Sequence, residues 1–366
     1  MRILSIDQVR PGMITKKPIL GFLGQVLLNA DVPIKERHIY YLKQMGINAV
    51  YVHDERLGDV GADDLISSEV RSESRALVAK MIKDLDASGT GKKGIAIKDK
   101  DILTIVTKII GELIDNRDVL FQLRDIRGHD GYLFAHSVNC CVISTMIAVK
   151  MNYDIKALRQ LAVGALLHDI GLVGVPGMIL KKPGLLTDQE YDTVKQHPRY
   201  GYEIFRTSTL FSELAGDIIH QHHERSQGQG YPAGLRDSNI SGPARIVAVA
   251  DVYDALTTDK SYRDGYAVHE AIEMLTSWGG EMFDLEVLNA FLQNTAAYPV
   301  GSHVLLSNGE SGVVIKNTPG FLLRPVIRLL CKKDLTPHPA PYDLDLKNVT
   351  NLTIAGVIDI NEPAAD

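Results

Sequence analysis

The stretch "ALRQLAVGALLHDIG", residues 157–171, places a histidine and an aspartate at the end of an otherwise apolar helical pattern. Apolar residues fill positions 161–167, and Gly171, just past His168 and Asp169, is typical of a helix end. A buried imidazole or carboxylate costs on the order of several kcal/mol unless it is hydrogen-bonded, charge-paired or bound to a metal. The pattern therefore predicts a core helix whose last polar residues have a binding or structural partner.

Similar polar residues interrupt other apolar helical patterns of the chain. His136 lies in "YLFAHSVNCCVISTMIAVKM", and Asp251 lies in "RIVAVADVYDAL". The neighbours His222 and His223 would be about 100° apart on a helix, so both rings can face one point. A single buried histidine is usually a hydrogen-bonded core residue, but several of them in one helical region argue against that simpler interpretation.

Imidazole and carboxylate groups without a nearby thiolate pair suit Fe, Mn or Zn rather than a cysteine-based structural zinc. Seven candidate ligands are more than one ion with an open position needs. They match two ions that share a carboxylate, an arrangement that clamps an in-line phosphoester displacement. The candidates are His136, His168, Asp169, His197, His222, His223 and Asp251.

The rest of the chain predicts a multidomain fold with a central all-α bundle between two small modules. Short strand patterns around a helix at 34–46 indicate an N-terminal α+β module. Near the C-terminus, alternating apolar runs flank Asn308-Gly309, a strong hairpin signal. The predicted divisions are an N-terminal module at 1–64, a helix and linker at 65–99, the helical domain at 100–296 and a β-rich module at 297–366.

Composition narrows the possible partners and compartments. The formal net charge of −6 does not favour binding to a nucleic-acid duplex. The three cysteines, Cys140, Cys141 and Cys331, form no disulfide pattern, which suits a reducing compartment. The N-terminal sequence lacks the apolar core of a signal peptide. We expect no stretch of the chain to approach the roughly 18 consecutive apolar residues of a membrane span. We therefore expect a cytoplasmic protein.

Five motifs together resemble the HD-GYP domain, a subclass of the HD phosphohydrolase superfamily associated with cyclic di-GMP hydrolysis. In chain order they are "HSVN" at 136–139, "LLHDIG" at 166–171, "KQHPRYG" at 195–201, "HHE…GQGYPAGL" at 222–235 and "RIVAVADVYDALTTDKSYR" at 245–263. Neither "HD" nor "GYP" is specific alone, but the ordered set is. The resemblance covers roughly residues 100–295.

The resemblance implies roles for the individual residues. His136, His168, Asp169 and Asp251 would hold one ion, and Asp169 would bridge to a second ion held by His197, His222 and His223. His168 and Asp169 would be the catalytic pair. A hydroxide between two Fe or Mn ions would attack the phosphodiester, giving pGpG or GMP.

The same resemblance implies a substrate-binding set of Lys260, Arg263, Tyr231 and Gly230. The two cations would contact phosphate, and Tyr231 would offer a stacking face to a guanine. Glu224 and Asp254, which follow ligand positions, could orient imidazoles. The glycine-rich "GYP" loop could also dock onto diguanylate cyclase domains. The sequence leaves open whether the protein forms a homodimer.

Two departures from the family pattern bear on activity. The family usually has a lysine after "HDIG", whereas this chain has Leu172, which cannot contact a phosphate oxygen by charge. Some members also carry a glutamate before the first histidine that helps to bind a third ion. Gly131 and Tyr132 stand there instead, so two ions are favoured, unless Asp130 precedes the helix and supplies a carboxylate.

Three functions follow from these features. The leading hypothesis is a metal-dependent cyclic di-GMP phosphodiesterase, because a scaffold has no physical need for seven buried polar ligands. Leu172 favours the first alternative, a catalytically weak sensor of the dinucleotide. The second alternative is an adaptor that docks on diguanylate cyclases through the "GYP" loop.

Overall fold

The computed structural model describes residues 1–21, 24–58, 60–61, 64–87, 99–121, 132–182, 184–210, 212–259 and 265–358. The predicted linker at 87–94 and the "RGHDG" stretch at 127–131 lie almost wholly outside these ranges. The described chain has small α/β elements first, then a long series of helices, then an antiparallel sheet.

The N-terminal region holds two small antiparallel strand pairs and one helix. Its elements are β1 (Arg2–Ser5), β2 (Ile19–Leu20), β3 (Val26–Leu28), α1 (Glu36–Gln44) and β4 (Ala49–Val52). Strand β1 pairs with β4, and β2 pairs with β3. The sequence predicted β2, β3, α1 and β4, whereas β1 was not predicted.

Eleven helices follow within the described residues. They are α2 (Ser68–Ala87), α3 (Asp99–Asp115), α4 (Tyr132–Lys150), α5 (Ile155–Leu167), α6 (Gly177–Leu180), α7 (Asp188–Val194), α8 (His197–Phe205), α9 (Glu213–Gln221), α10 (Gly242–Thr257), α11 (Val268–Ser277) and α12 (Leu285–Gln293). The all-α prediction for this region is confirmed in the described part. Helical apolar spacing from Ile102 to about Ile126 predicted one helix, but α3 ends at Asp115, and residues 122–126 lie outside the described residues. The segment "TDQEYDTVKQHPRYGYEIF" (187–205), predicted as one helical segment, is divided into α7 and α8.

Helices α4, α5 and α10 form the middle of this region. Helix α4 packs on α5 and α10, and α5 also packs on α9. Asp154 caps α5 by accepting a hydrogen bond from the Ala157 amide at 2.8 Å. At Gly164 an added Cβ would lie only 2.8 Å from a methyl of Ile218, so the glycine lets α5 and α9 approach closely. This approach brings the C-terminal ends of both helices together.

Helix α4 is unusually apolar. By length and composition its segment Leu133–Lys150 could cross a membrane, so the expectation that no stretch approaches that limit was too strict. However, 72% of the segment is buried inside the protein. Burial of this kind is typical of the core helix of a folded domain, and the segment is weak grounds for a membrane span.

The C-terminal region is a five-stranded antiparallel sheet of order β8-β7-β6-β5-β9. Its strands are β5 (His303–Leu306), β6 (Ser311–Lys316), β7 (Val326–Cys331), β8 (Pro337–Asp345) and β9 (Ile354–Val357). The predicted hairpin joins β5 and β6, and Gly309 has the positive φ of 90° that this turn requires. Strand β8 was not predicted. Its three prolines fit an edge strand, where a missing amide donor leaves no ladder bond unmade.

The predicted class, a helical centre with an N-terminal α+β part and a C-terminal β-rich part, agrees with this architecture. The sheet continues the helical core, since Val304, Leu306 and Leu329 belong to the same buried apolar cluster as α4 and α5. The N-terminal elements contact the sheet directly, with the Ile3 amide donating to the carbonyl of Gly301 at 3.0 Å. The exact domain boundaries stay a prediction.

Candidate metal centre

All seven predicted ligands converge on one interior point of the helical region. His136 comes from α4, His168 and Asp169 from the end of α5, and His197 from the first position of α8. His222 and His223 follow α9, and Asp251 lies in α10. The convergence places four imidazoles and one carboxylate of this set almost entirely out of solvent.

Around His136 the side chains form a first group. The His136 Nε2 atom lies 3.2 Å from Asp251 Oδ1, 3.6 Å from Asp169 Oδ2 and 3.3 Å from His168 Nε2. His168 Nε2 lies 3.4 Å from the same oxygen of Asp169. The Nε2 atoms of His136 and His168, Asp251 Oδ1 and Asp169 Oδ2 therefore surround one small space.

A second group lies against the other oxygen of Asp169. Asp169 Oδ1 is 3.2 Å from His197 Nε2 and 3.7 Å from His222 Nε2. The His223 ring stacks obliquely on that of His222, with centroids 4.2 Å apart. Candidate ligand atoms of Asp169, His197, His222 and His223 all lie within 4.8 Å of one another. Asp169 thus faces both groups, one with each oxygen.

Backbone carbonyls orient three of the rings. His168 Nδ1 donates to Ala165 O at 2.8 Å, His197 Nδ1 to Val194 O at 2.8 Å, and His222 Nδ1 to Ile219 O at 3.0 Å. In each neutral ring the proton on Nδ1 leaves Nε2 as an acceptor with its lone pair facing the centre. Helix ends expose these carbonyls, because the last turn has no intrahelical donor for them.

This tautomer pattern is the observation that fits a metal. His197 Nε2 and His222 Nε2 are 3.3 Å apart, and in the neutral rings both are acceptors. Two lone pairs at this separation repel unless a cation lies between them or one ring is protonated. His136 and His168 face each other in the same way. The donor set of imidazoles and carboxylates, closed around two adjacent spaces, fits two divalent ions.

The surrounding imidazoles shift the pKa values of the carboxylates downward, against the effect of burial. Burial alone would raise the pKa of Asp169, but the nearby rings, His168 foremost, hold it well below its usual range. Asp251 is lowered in the same way by His136 and His223, against the opposing effect of burial. Both aspartates are therefore ionised at neutral pH.

The imidazoles divide into two kinds. Burial lowers the pKa of His222 to about 4, and burial together with the neighbouring His222 lowers that of His223 well below its ordinary value. For His168, burial also acts to lower the pKa, but the Asp169 carboxylate against it raises the pKa above the ordinary value. The second group therefore presents neutral rings to an ion, whereas His168 can hold a proton.

Sequence reasoning did not single out Cys140, which the structure places beside His136. Its sulfur lies 3.6 Å from Nδ1 and 3.7 Å from Nε2 of that ring. Its Sγ lies within 4.8 Å of candidate ligand atoms of His136, His168 and Asp251, which makes Cys140 a further candidate ligand of the first group. Burial raises the pKa of the thiol to about 12 in the metal-free protein. The spacing of four residues from His136 is the signal that could have revealed it.

The loop with "GYP" folds back over the second group. Tyr231 lies beside His223, with ring centroids 4.6 Å apart and planes inclined by 31°. An added Cβ at Gly230 would overlap the backbone of Glu224, so only glycine fits there. Glu224 was expected to orient an imidazole, and instead it accepts hydrogen bonds from the Ala233 and Leu235 amides at 2.8 and 2.9 Å. Its role is to hold this loop.

Asp254 does orient an imidazole, as expected. Its Oδ2 atom accepts a hydrogen bond from His136 Nδ1 at 2.8 Å, and the residue is completely buried. The predicted phosphate contacts Lys260 and Arg263 lie outside the described residues, as do Asp130 and Gly131. Leu172 lies in the 3-10 turn that follows Asp169 and is partly buried.

Fold and site together define a helical domain built around a histidine–aspartate centre for divalent metal ions. Residues 112–287 match the family described as HD domain, and residues 303–365 match a KOW domain associated with HD domain. The HD domain and its motifs make this chain a member of the HD-GYP family.

Two curated relatives and one solved structure illustrate the likeness. The chain is 36% identical over 258 residues to the cyclic di-GMP phosphodiesterase PA4108 of Pseudomonas aeruginosa, covering 70% of this chain and 61% of that protein. It is 31% identical to a cyclic di-GMP phosphodiesterase of Thermotoga maritima, covering 64% of this chain and 66% of the relative. The chain therefore spans less than two thirds of either relative. An HDG"Y"P protein from Bdellovibrio bacteriovorus, Bd1817, has the same fold, with a TM-score of 0.50, 16% identity and coverage of 79% of this chain and 97% of that chain.

Proposed function

We propose that the protein is a phosphodiesterase that hydrolyses cyclic di-GMP with the help of two divalent ions, Fe or Mn. The observation that carries this proposal is the position of Asp169, whose two oxygens face two adjacent groups of ligands. Relatives that bear the name cyclic di-GMP phosphodiesterase, at 36% and 31% identity, support the substrate.

Each residue would have a defined task. His136, His168 and Asp251 would hold one ion, and His197, His222 and His223 the other, with Asp169 shared. When bound, two ions lower the pKa of water and stabilise the charge on the attacking and leaving oxygens. The face of Tyr231 would stack on a guanine, and Gly230 would let the loop approach the ligand histidines.

Leu172 is the feature that favours a weaker enzyme or a sensor. A charge-assisted hydrogen bond to phosphate contributes about 1.5–3 kcal/mol, and leucine can supply none. Lys260 and Arg263 are our proposed phosphate contacts. Docking on diguanylate cyclases, a cytoplasmic location and the division at residues 64, 99 and 296 are proposals as well.

The test is product analysis with metal-loaded protein. Protein loaded anaerobically with Fe or Mn is incubated with cyclic di-GMP, and linear pGpG and GMP are separated by chromatography. We expect slow hydrolysis, and faster hydrolysis or tighter binding for Leu172→Lys. Parallel incubation with 3′3′-cGAMP measures the base preference.

Asp169→Ala is the matched variant for the metal centre. Because one carboxylate is proposed to contact both ions, this variant should lose both of them and all turnover, as metal analysis would show. If wild type and Leu172→Lys were both inert but bound the dinucleotide, the sensor would replace the enzyme. If neither bound it, the adaptor would be favoured.

A further inference from the structure

A continuous series of hydrogen bonds connects the first ligand group to a helix outside the matched HD domain. Arg71 in α2 donates from Nη1 to Asn139 Oδ1 at 3.2 Å. Asn139 donates from Nδ2 to Asp254 Oδ1 at 3.0 Å. Asp254 accepts from His136 Nδ1 at 2.8 Å through its other oxygen. The series ends on a proposed metal ligand.

Each member can fill only one role in this series. A guanidinium has donors and no acceptor, and an ionised carboxylate has acceptors and no donor. Asn139 lies between them, so its oxygen must face Arg71 and its amide nitrogen must face Asp254. Asn139 is 3% exposed and Asp254 is completely buried, and water therefore has little access to replace either contact.

Helix α2 also carries the contact with the N-terminal module. Ser72, the next residue after Arg71, donates from its hydroxyl to Gly24 O at 2.6 Å. An added Cβ on Gly24 would lie 2.6 Å from the Ser72 carbonyl oxygen, so the two backbones are in close contact. The HD domain match begins only at residue 112, and Arg71 therefore comes from a part of the chain before it.

We propose that Arg71 is a positioning residue for the first metal position, acting through Asn139 and Asp254 on the orientation of His136. The proposal rests on the metal centre proposed above. The Asp254 contact keeps the proton of His136 on Nδ1, so that Nε2 faces the ion. Arg71 fixes the far end of the series and links this orientation to the segment that holds the N-terminal module.

Metal titration of the full-length protein tests this role without any substrate. Metal-free protein is titrated anaerobically with Mn²⁺ in competition with a chelator, and the affinities of the two positions are resolved. Loss of a direct partner of a ligating histidine typically weakens metal binding by roughly 10–100-fold, which we expect for Asp254→Asn. Arg71→Ala lies two contacts further away, and we expect a smaller loss, about three- to tenfold, at the first position only.

A double substitution shows whether Arg71 acts through Asn139. In an Asn139→Ala background, Arg71→Ala should cause no further loss of affinity, because the path is already interrupted. Arg71→Lys, which keeps a donor, should recover part of the affinity. Lys80→Ala is the control, since Lys80 is an exposed cation on the same helix. It should bind both ions as wild type does.

The outcomes separate this inference from the proposed function. Wild type that binds two ions, with an Arg71→Ala variant that binds both equally tightly, would overturn the positioning role and leave the enzyme proposal intact. Equal weakening at both positions, together with a lower unfolding temperature of the metal-free protein, would also overturn it, because that result indicates a general structural role. Wild type that bound no ion would contradict both proposals.

Discussion

At the residue scale, His168 and Asp169 show how neighbouring residues can have opposite charge states in a buried site. Asp169 is held ionised by the imidazoles around it, and its charge in turn raises the pKa of His168. In His222, which is buried to the same degree, burial and the neighbouring His168 and His197 outweigh the effect of Asp169 and lower the pKa to about 4. A protonated imidazole is therefore more favourable in the first ligand group than in the second.

This difference predicts proton release on metal binding. A ligating imidazole must be neutral, so an ion at the first position should release more protons at pH 7 than an ion at the second. As pH falls through the raised pKa of His168, affinity should drop at the first position, because the ion must then displace a proton. Affinity at the second position should fall only as pH approaches about 4, the pKa of His222.

Calorimetric titration in buffers with different ionisation enthalpies measures this release directly. The Asp169→Ala variant, which should bind neither ion, controls for heat and proton release that do not come from metal binding. Equal proton release for both ions in wild type would show that the two groups do not differ as described.

The sequence was sufficient to find these ligands because burial makes polar residues conspicuous within apolar helices. All seven candidates converge, and the resemblance assigned them to the two groups that the structure shows. The sequence could not assign Glu224, since its partners, Ala233 and Leu235, are backbone amides that any residue supplies. Cys140 was not singled out, although it lies four residues after His136, because the predicted ligand set contained only imidazoles and carboxylates.

At the element scale, the short turn after α5 determines where α8 begins. Residues Ile170–Gly174 form a 3-10 turn that packs on α8, and the first residue of α8 is His197. An added Cβ on Gly171 would overlap the carbonyl oxygen of His197 and the amide nitrogen of Gly201. Both obstacles are backbone atoms, so they can move only if the helix moves.

We therefore expect Gly171→Ala to affect stability and metal binding together. Overpacking of a buried site typically costs about 1–3 kcal/mol, and the backbone overlap places this variant at the upper end of that range. Displacement of α8 should also weaken binding at the second position, through His197. Denaturant unfolding and metal titration measure the two effects.

Gly111→Ala is the matched control, because Gly111 lies in α3 with nothing within 4 Å of an added Cβ. Alanine in a helix should raise stability there by about 0.5–1 kcal/mol. A Gly171→Ala variant as stable as wild type, with two ions bound normally, would contradict the proposed packing constraint.

Helices were easier to predict from sequence than strands. Apolar spacing correctly indicated α4, α5, α9 and α10, which bury one or more faces completely. It could not show that the pattern at 187–205 divides at Lys195, because His197 and its neighbours continue the same spacing. Strand β8 was missed since its sequence is mostly exposed and contains three prolines, which are uncommon in strands.

At the scale of the whole molecule, the three regions share buried surfaces. Leu57, from the N-terminal region, is completely buried against Val313, Leu330 and Cys331 of the C-terminal sheet. Arg328 in β7 donates to the Leu57 carbonyl at 2.8 Å and pairs with Asp343. The sequence predicted the three regions but not these contacts, because an apolar pattern shows which face is buried and not what covers it.

The shared surfaces predict that the N-terminal region, the sheet and the helical core unfold together. Leu57→Ala removes a fully buried side chain at this junction, and such a change typically costs about 2–5 kcal/mol. Leu185→Ala removes the same atoms from a side chain that is 82% exposed and should alter stability by less than about 0.5 kcal/mol.

Unfolding in denaturant is followed by circular dichroism and by the fluorescence of Trp278, which lies at the end of α11. We expect one transition with both probes, at lower denaturant for Leu57→Ala. If that variant instead gave an early transition seen by circular dichroism while Trp278 kept the wild-type midpoint, the terminal regions would be stabilised independently of the helical core, and the shared surface would not couple them.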